Sequence, residues 1–105
     1  MPYFVVIRDR SSGWNWSVPM RRQDEWEAHA AFMDALEAQG FIVAGGPLGD
    51  EDRAARVMHV VSAPDREAIE TRMAQDPWTP MHLLRTVSIE PWTVLLGGFR
   101  AGART

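Results

Sequence analysis

The segment from Asp24 to Leu48 places the tightest limits on the fold, because it reads as a helix, a stop, a short strand and a turn in direct succession. Asp24 with Glu27 three residues later forms a capping-box pattern, and we predict a helix over residues 25–39. Gly40 then favours the left-handed conformation that ends a helix. Large apolar side chains recur along one face of this helix, at Trp26, Phe32, Met33 and Leu36.

The other elements complete the order strand, helix, strand, strand, helix, strand. We predict strands at residues 3–8, 41–44, 56–62 and 84–96, with turns at 45–48 and 49–52. A second helix is predicted to have Pro64 in its first turn and to stop at Pro77. This order is typical of the ferredoxin-like βαββαβ arrangement, an α+β fold in which two helices cover one face of a four-stranded antiparallel sheet. We expect one domain over residues 1–96 and a flexible C-terminal tail over residues 97–105.

The first strand is apolar on both faces, since Tyr3, Val5 and Ile7 point one way while Phe4 and Val6 point the other. Two helices can cover only one face of a sheet. A second subunit's sheet is the simplest cover for the other face. We therefore predict a homodimer through the sheet faces, a dimeric α+β barrel.

The composition excludes several classes of function. The net charge of -3 and the lack of a long run among the 11 basic residues argue against a nucleic-acid partner. No apolar run approaches the length of about 18 residues needed to span a membrane. The chain has no cysteine and no lysine, which rules out thiol nucleophiles and Schiff-base chemistry. The lack of cysteine and of a signal-peptide n-region fits a cytoplasmic protein.

Two ionisable residues fall on otherwise apolar helical faces: His29 on the first helix and Asp76 at the end of the second. Both helices lie on the same side of this fold, so the two side chains can meet. A carboxylate bound to one imidazole nitrogen would fix the tautomer and leave the other nitrogen facing a substrate. The alternative is a core histidine bonded to a backbone carbonyl, with Asp76 capping a helix end or a turn. Periodicity alone leaves both interpretations open.

Other residues are candidates for substrate contacts. Gly45, Gly46 and Pro47, which precede Leu48, match no phosphate-binding loop. We expect a close backbone approach there, with N–H groups that receive a carboxylate or enolate oxygen. Arg8 near the end of the first strand is interpreted either as an anion clamp or as an ordinary surface arginine.

Aromatic residues form a third group of candidates. Residues 9–22 form a long loop of the kind that often serves as a lid or binding loop, and it carries Trp14 and Trp16. These rings either pack over a sheet edge or subunit interface, or contact a ligand directly. Trp78 and Trp92 suit the apolar walls of a cleft, although core residues would give the same pattern.

The remaining histidines are interpreted as structural. His59 alternates with Met58 and Val60 and is expected to face the dimer interface, while His82 is expected at the surface or an interface. Positions 29, 59 and 82 lack metal-site spacing, so no metal site is predicted.

The sequence resembles the YCII-related (YciI-like) family in four segments, which follow the family's order and spacing within residues 3–94. They are His29 with its apolar helix, Gly46-Pro47-Leu48, Asp76-Pro77-Trp78, and Val87-Ser88-Ile89-Glu90-Pro91-Trp92. The resemblance implies a ferredoxin-like fold, a dimer built through the sheets, and a cleft with a proposed catalytic pair, by position His29 and Asp76. The Thr79 to Leu83 segment and the Trp14/Trp16 loop depart from the family pattern.

The resemblance and the pair favour a cofactor-independent enzyme that moves a proton on a small cyclic or aromatic substrate, by isomerisation or loss of HX. Related proteins of the superfamily include a dehydrochlorinase acting on a chlorinated hydroxyhydroquinone, and muconolactone isomerase shares the broader fold. The alternative is a non-catalytic dimer that binds a small molecule or assists a partner enzyme. A cofactorless monooxygenase is a third reading. We predict no cofactor in the favoured case.

Overall fold

The computed structural model describes residues 1–97 and confirms the predicted order of elements. The strands are β1 (Tyr3–Arg10), β2 (Ile42–Pro47), β3 (Arg56–Ser62) and β4 (Leu84–Trp92), and the helices are α1 (Trp26–Ala38) and α2 (Arg66–Ala74), with a short 3-10 helix at Met20–Arg22. None of the helices within residues 1–97 has the length and hydropathy needed to cross a bilayer.

The four strands form one antiparallel sheet in the order β2-β3-β1-β4. The two central strands, β1 and β3, pair so that Val6 lies opposite His59. On the β4 side the register shifts between Ile7 and Arg8, which marks an irregularity in the ladder. Side chains of β1 alternate in burial along the whole strand, so one face packs under the helices.

The core lies between this sheet face and the two helices. Its main cluster consists of Phe4, Val6, Leu36, Phe41, Ile42, Val61, Ala63, Ile69, Met73 and Ile89. A second cluster of buried residues consists of Trp14, Val57, Trp78, Leu83 and Leu84, and Met20, Trp26 and Met81 pack against it. The second cluster occupies the end of the sheet where the site described below is found, so the site rests on packed side chains.

The helix termini are partly as predicted. Gly40 follows α1 with a φ of 77°, as expected for a left-handed stop. The predicted capping box is not formed, because the N-cap of α1 is Glu25, which has a φ of 61° and makes no side-chain capping hydrogen bond. Pro64 lies before α2 and not in its first turn, and the N-cap is Asp65, whose carboxylate accepts from the N–H of Ala68 at 2.8 Å.

Two strand boundaries also differ from the prediction. The predicted turn at residues 45–48 is wrong for its first three residues, because β2 continues to Pro47 with Gly45 opposite His59 and Gly46 opposite Met58. Strand β4 ends at Trp92, short of residue 96. Most of the predicted flexible tail, residues 98–105, lies outside the described residues.

The sheet face away from the helices is apolar along β1, as the alternation in that strand predicted, while β4 contributes Ser88 and Glu90 to it. Val5, Ile7 and Met58 lie on this face and are half-buried, and Trp92 is exposed at its edge. No element within residues 1–97 covers this face with a helix. This is the surface on which the predicted homodimer depends.

Candidate active site

His29 lies in the second turn of α1, on the face that packs against the sheet, and it is 8% exposed. Its Nδ1 atom lies 2.9 Å from Oδ1 and 3.1 Å from Oδ2 of Asp76. Asp76 follows the end of α2, in the turn that begins there, and is 0% exposed. The two residues that helical periodicity selected are therefore hydrogen-bonded to each other.

The Asp76 carboxylate is the centre of a buried hydrogen-bond network. Besides His29, it accepts from the guanidinium of Arg8 at 2.7 Å and from the backbone N–H of Trp78 at 3.0 Å. The contact with Trp78 shows that Asp76 does cap a turn, as the alternative interpretation held. The carboxylate performs this role and also binds the imidazole, so the two interpretations of Asp76 are not exclusive.

Arg8 is 0% exposed, so its expected position as a surface arginine is wrong. Its second guanidinium nitrogen donates to Oγ1 of Thr79 at 2.8 Å, and that hydroxyl donates to the carbonyl of Met73 at 2.7 Å. Arg8 stands behind Asp76 and does not line the neighbouring cavity. The geometry therefore makes Arg8 a support for the carboxylate and places it away from any substrate in that cavity.

The network determines the charge of Asp76. Burial alone would raise the pKa of the Asp76 carboxyl, but the hydrogen bond and charge of His29, with hydrogen bonds from Arg8 and Trp78, hold that pKa below its ordinary value. Asp76 is therefore ionised near neutral pH and can only accept hydrogen bonds. It follows that Nδ1 of a neutral His29 carries the proton, and that its Nε2 atom is the basic nitrogen.

Trp78 fixes the plane of the imidazole. The two rings stack with centroids 3.8 Å apart and planes 5° apart. The indole of Trp78 is held in turn by a 2.7 Å hydrogen bond from Nε1 to the carbonyl of Asp24, and by an edge contact with Trp14 at 5.3 Å. The orientation of His29 is thus restricted by three segments of the chain, which contain Trp14, Asp24 and the turn from Asp76 to Trp78.

A cavity of about 240 Å³ lies beside His29, between α1 and the β2–β3 end of the sheet. Its walls include His29, His59, Trp14, Trp26, Trp78 and Gly46. An apolar cavity of roughly 150 Å³ is large enough to bind benzene. The size and aromatic walls of this cavity suit a small ring compound.

The structure separates the predicted substrate-contact residues into two groups. Gly46, Pro47, Trp14 and Trp78 line the cavity. Leu48 is 40% exposed and lies outside it, beside a different groove.

The loop tryptophans also separate. Trp14 is buried and packs on Trp78, and its ring lies under the guanidinium of Arg10 at 4.2 Å, whereas Trp16 is exposed. Trp14 therefore both packs over the end of the sheet and lines the cavity.

His59 faces the cavity side of the sheet, so the expectation that it faces a dimer interface is wrong. It lies on β3 opposite Val6 and is 5% exposed. Neither ring nitrogen has a hydrogen-bond partner among the described residues. Burial, then the charges of Arg8 and His29, lower the pKa of His59 to about 4 against the opposing charge of Asp76. Its position could have been predicted from its alternation with Val57 and Val61, which are buried on the same face.

His82, the third histidine, is exposed as expected, with a φ of 58°. Within residues 1–97, no group of three or more His, Asp or Glu side chains is arranged to hold a metal ion.

Comparison with known proteins assigns the family. The YCII-related domain profile matches residues 1–93, nearly the whole of the described chain. The chain belongs to the YCII-related family. A search of curated protein sequences finds no significant match.

A solved structure similar to this YCII-related chain is 5-chloro-2-hydroxyhydroquinone dehydrochlorinase (TftG) from Burkholderia phenoliruptrix AC1100, in complex with 2,5-dihydroxybenzoquinone. The TM-score is 0.63 at 24% sequence identity, over 86% of this chain and 93% of the dehydrochlorinase chain. This likeness, together with the four-stranded antiparallel sheet and two helices, confirms the ferredoxin-like α+β fold.

Proposed function

We propose that the protein is a cofactor-independent enzyme in which His29, oriented by Asp76, transfers a proton on a small cyclic or aromatic substrate, by isomerisation or elimination of HX. The observation that carries the proposal is the buried hydrogen bond from Nδ1 of His29 to Asp76 in the wall of an aromatic cavity. A histidine present only to fill the core would need neither an ionised partner nor a cavity beside it.

The geometry indicates a role for each group. Asp76 holds the proton of His29 on Nδ1 and stabilises the imidazolium that forms when Nε2 accepts a proton. Trp78 keeps the ring plane fixed, and burial of His29 and Asp76 strengthens the electrostatic interaction between the pair. Positioned proton transfer of this kind contributes about 10² to 10⁴ in rate.

Elimination of HX needs no further reagent. The base removes a proton from the substrate, the halide leaves with its bonding electrons, and the products are HX and a ring compound with one more double bond. Loss of HX takes a halogenated hydroquinone to the quinone level of oxidation without an external oxidant. The dehydrochlorinase with the similar fold is named for a reaction of this type, which supports testing chlorinated hydroxyhydroquinones first.

We also propose that the protein is a homodimer through the sheet faces. The apolar side chains Val5, Ile7 and Met58 on the face away from the helices support this arrangement. Sedimentation at micromolar concentration is expected to give twice the chain's mass. A monomer at that concentration would contradict the dimer and leave the His29–Asp76 proposal intact.

The alternative function is binding of a small ring compound without catalysis. The observation that favours it is the wall of three indole rings, from Trp14, Trp26 and Trp78, which would hold a planar ligand by stacking alone. In that case Asp76→Asn leaves the affinity for 2,5-dihydroxybenzoquinone largely unchanged, and replacing Trp78 weakens it.

The test is halide release from 5-chloro-2-hydroxyhydroquinone and isomerisation of small lactones, measured with the wild type, His29→Asn and His82→Asn. His82→Asn is the matched control, because His82 is exposed, lies outside the cavity and has a φ of 58° that asparagine tolerates. We expect His29→Asn to lower turnover by about 10² or more, with little effect from His82→Asn. A loss of less than about threefold in His29→Asn would refute general base catalysis by this residue.

A further inference from the structure

The imidazole of His59 is a polar group for which the described fold provides no partner. Its two ring nitrogens are buried and unpaired within residues 1–97, although the ring lines the same cavity as His29. Leaving one buried donor or acceptor without a partner costs about 1–3 kcal/mol, and most buried polar groups avoid that cost. An apolar side chain, such as those of Val57 and Val61 on the same face of β3, would carry no such cost.

The chain keeps space around this ring. An added Cβ at Gly45 would lie 2.5 Å from Nδ1 of His59, closer than side chains ever pack. Gly45 is on the edge strand β2, directly opposite His59, and the absence of a side chain there lets the imidazole lie against the strand. Gly46, the next residue, has nothing within 4 Å of the equivalent position. The closest atom to a Cβ at residue 45 is therefore in the ring of His59, and the carbonyl oxygen of Met58 follows at 3.2 Å.

The protonation state of His59 favours one class of ligand. Burial is the main reason that the pKa of His59 is lowered to about 4, so the ring is neutral near pH 7. A neutral imidazole offers one N–H donor and one acceptor nitrogen. A buried N–H donor that lacks a partner in the fold suits an oxygen that carries full or partial negative charge, such as a phenolate, an enolate or a quinone carbonyl.

We propose that His59 is a substrate-binding residue, whose ring donates a hydrogen bond to an oxygen of an oxygenated ring compound held in the cavity beside His29. The substrate supplies the partner that the fold lacks. The inference rests on the proposed function in that both require the cavity to receive such a compound. It adds a second imidazole, with a binding role distinct from the proton transfer by His29.

The test uses 2,5-dihydroxybenzoquinone as the probe and the full chain, with calorimetric binding to the wild type, His59→Leu, His59→Asn and His59→Gln. Asparagine places an amide near the position of Nδ1, and glutamine places one near Nε2. We expect His59→Leu to weaken binding about 10- to 100-fold, the range for a hydrogen bond to a charged or strongly polar oxygen. One of the two amide variants is expected to bind within about tenfold of the wild type.

Thermal unfolding without ligand separates binding from structure. Because the fold supplies no partner to the ring nitrogens, His59→Leu is expected to unfold at the same temperature as the wild type or a few degrees higher, since it removes unsatisfied polar atoms. Marked destabilisation of His59→Leu would show that the ring has a structural partner, and would overturn the inference. If a variant fails to fold, the ring ¹⁵N resonances of His59 in the wild type must shift on addition of the probe, and no shift overturns the inference.

The possible failures can be told apart. If the wild type binds the probe and His59→Leu binds it equally well, the role of His59 is refuted and the proposed function stands. If the wild type does not bind the probe at all, the inference about His59 is overturned, and the proposed function is judged separately by the turnover of the wild type and His29→Asn.

Discussion

Replacing Asp76 by asparagine perturbs the site with the smallest change in shape. The carboxylate and the guanidinium of Arg8 are both fully buried, and their contact is 2.7 Å. In Asp76→Asn the Arg8 charge stays buried without a counter-charge, and one oxygen remains to serve the donors of His29, Arg8 and Trp78. Breaking a buried ion pair by removing one partner costs about 3–5 kcal/mol. Small domains are stable by roughly 5–15 kcal/mol, so the loss is a large fraction of the total.

Urea denaturation measures this effect. With a slope of about 2 kcal/mol per molar urea, the midpoint is expected to fall by about 2 M in Asp76→Asn. The double variant Arg8→Met/Asp76→Asn also removes the unpaired charge of Arg8. Its loss of unfolding free energy is therefore expected to be smaller than the sum of the losses in Arg8→Met and Asp76→Asn. Asp9→Asn breaks the exposed pair with Arg85 and serves as the control, with a small effect. A loss below about 1 kcal/mol in Asp76→Asn, or additive single changes, would refute the reasoning.

The remaining predictions concern pH and packing. The pKa of Asp76 is lowered in the folded state, so its ionised carboxylate stabilises the fold at pH values above the unfolded pKa of about 4. This stabilisation is lost as the pH falls through the folded pKa. Acid titration of unfolding should show the loss for the wild type and not for Asp76→Asn. The pKa of His59 is lowered from 6.5 to about 4, so the unfolded chain takes up a proton first on acidification, and stability should fall by on the order of 3 kcal/mol between these pH values. The prediction for His59 would be contradicted if the stability of the wild type did not change with pH in this range, or if His59→Leu showed the same pH dependence as the wild type. Gly45→Ala should displace the His59 ring and shift its NMR resonances, whereas Gly46→Ala, with open space around its Cβ, should leave these resonances in place. Equal shifts in both variants would argue against the close approach of the His59 ring to residue 45.

The sequence was sufficient for the order of elements and for the expectation that His29 and Asp76 can meet. Helical periodicity placed His29 and Asp76 on apolar faces, and these faces meet in the structure. Both predictions rest on local pattern, which determines which face of a helix is buried. The partner of a buried polar residue, in contrast, depends on contacts between distant segments.

Arg8 shows this limit. In the structure it shares the buried face of β1 with Phe4 and Val6, where its guanidinium is paired with Asp76, 68 residues further along the chain. The pattern in β1 gave no indication of that partner, so a surface position was the more economical interpretation. For His59 the local pattern did carry the information, because its alternation with Val57 and Val61 indicates the buried face.

Two of the errors in local structure, at the start of α1 and at the end of β2, also have tertiary causes. The carbonyl of Asp24 accepts from the indole of Trp78, and the chain enters α1 through the left-handed Glu25, without a capping box. Gly45 to Pro47 suggested a turn, yet they continue β2, because an edge strand tolerates a proline that cannot donate to the ladder. In both places a contact with a distant segment overrides the local preference.

The central claim is that Asp76 holds the proton of His29 on Nδ1 and leaves Nε2 as the base that faces the substrate. Histidine ring ¹⁵N NMR of the wild type, with and without 2,5-dihydroxybenzoquinone, tests it most directly. The account predicts a neutral His29 protonated at Nδ1, an Nε2 resonance that shifts when the probe binds, and loss of the single tautomer in Asp76→Asn. A His29 protonated at Nε2 in the wild type, or a tautomer unchanged in Asp76→Asn, would contradict it.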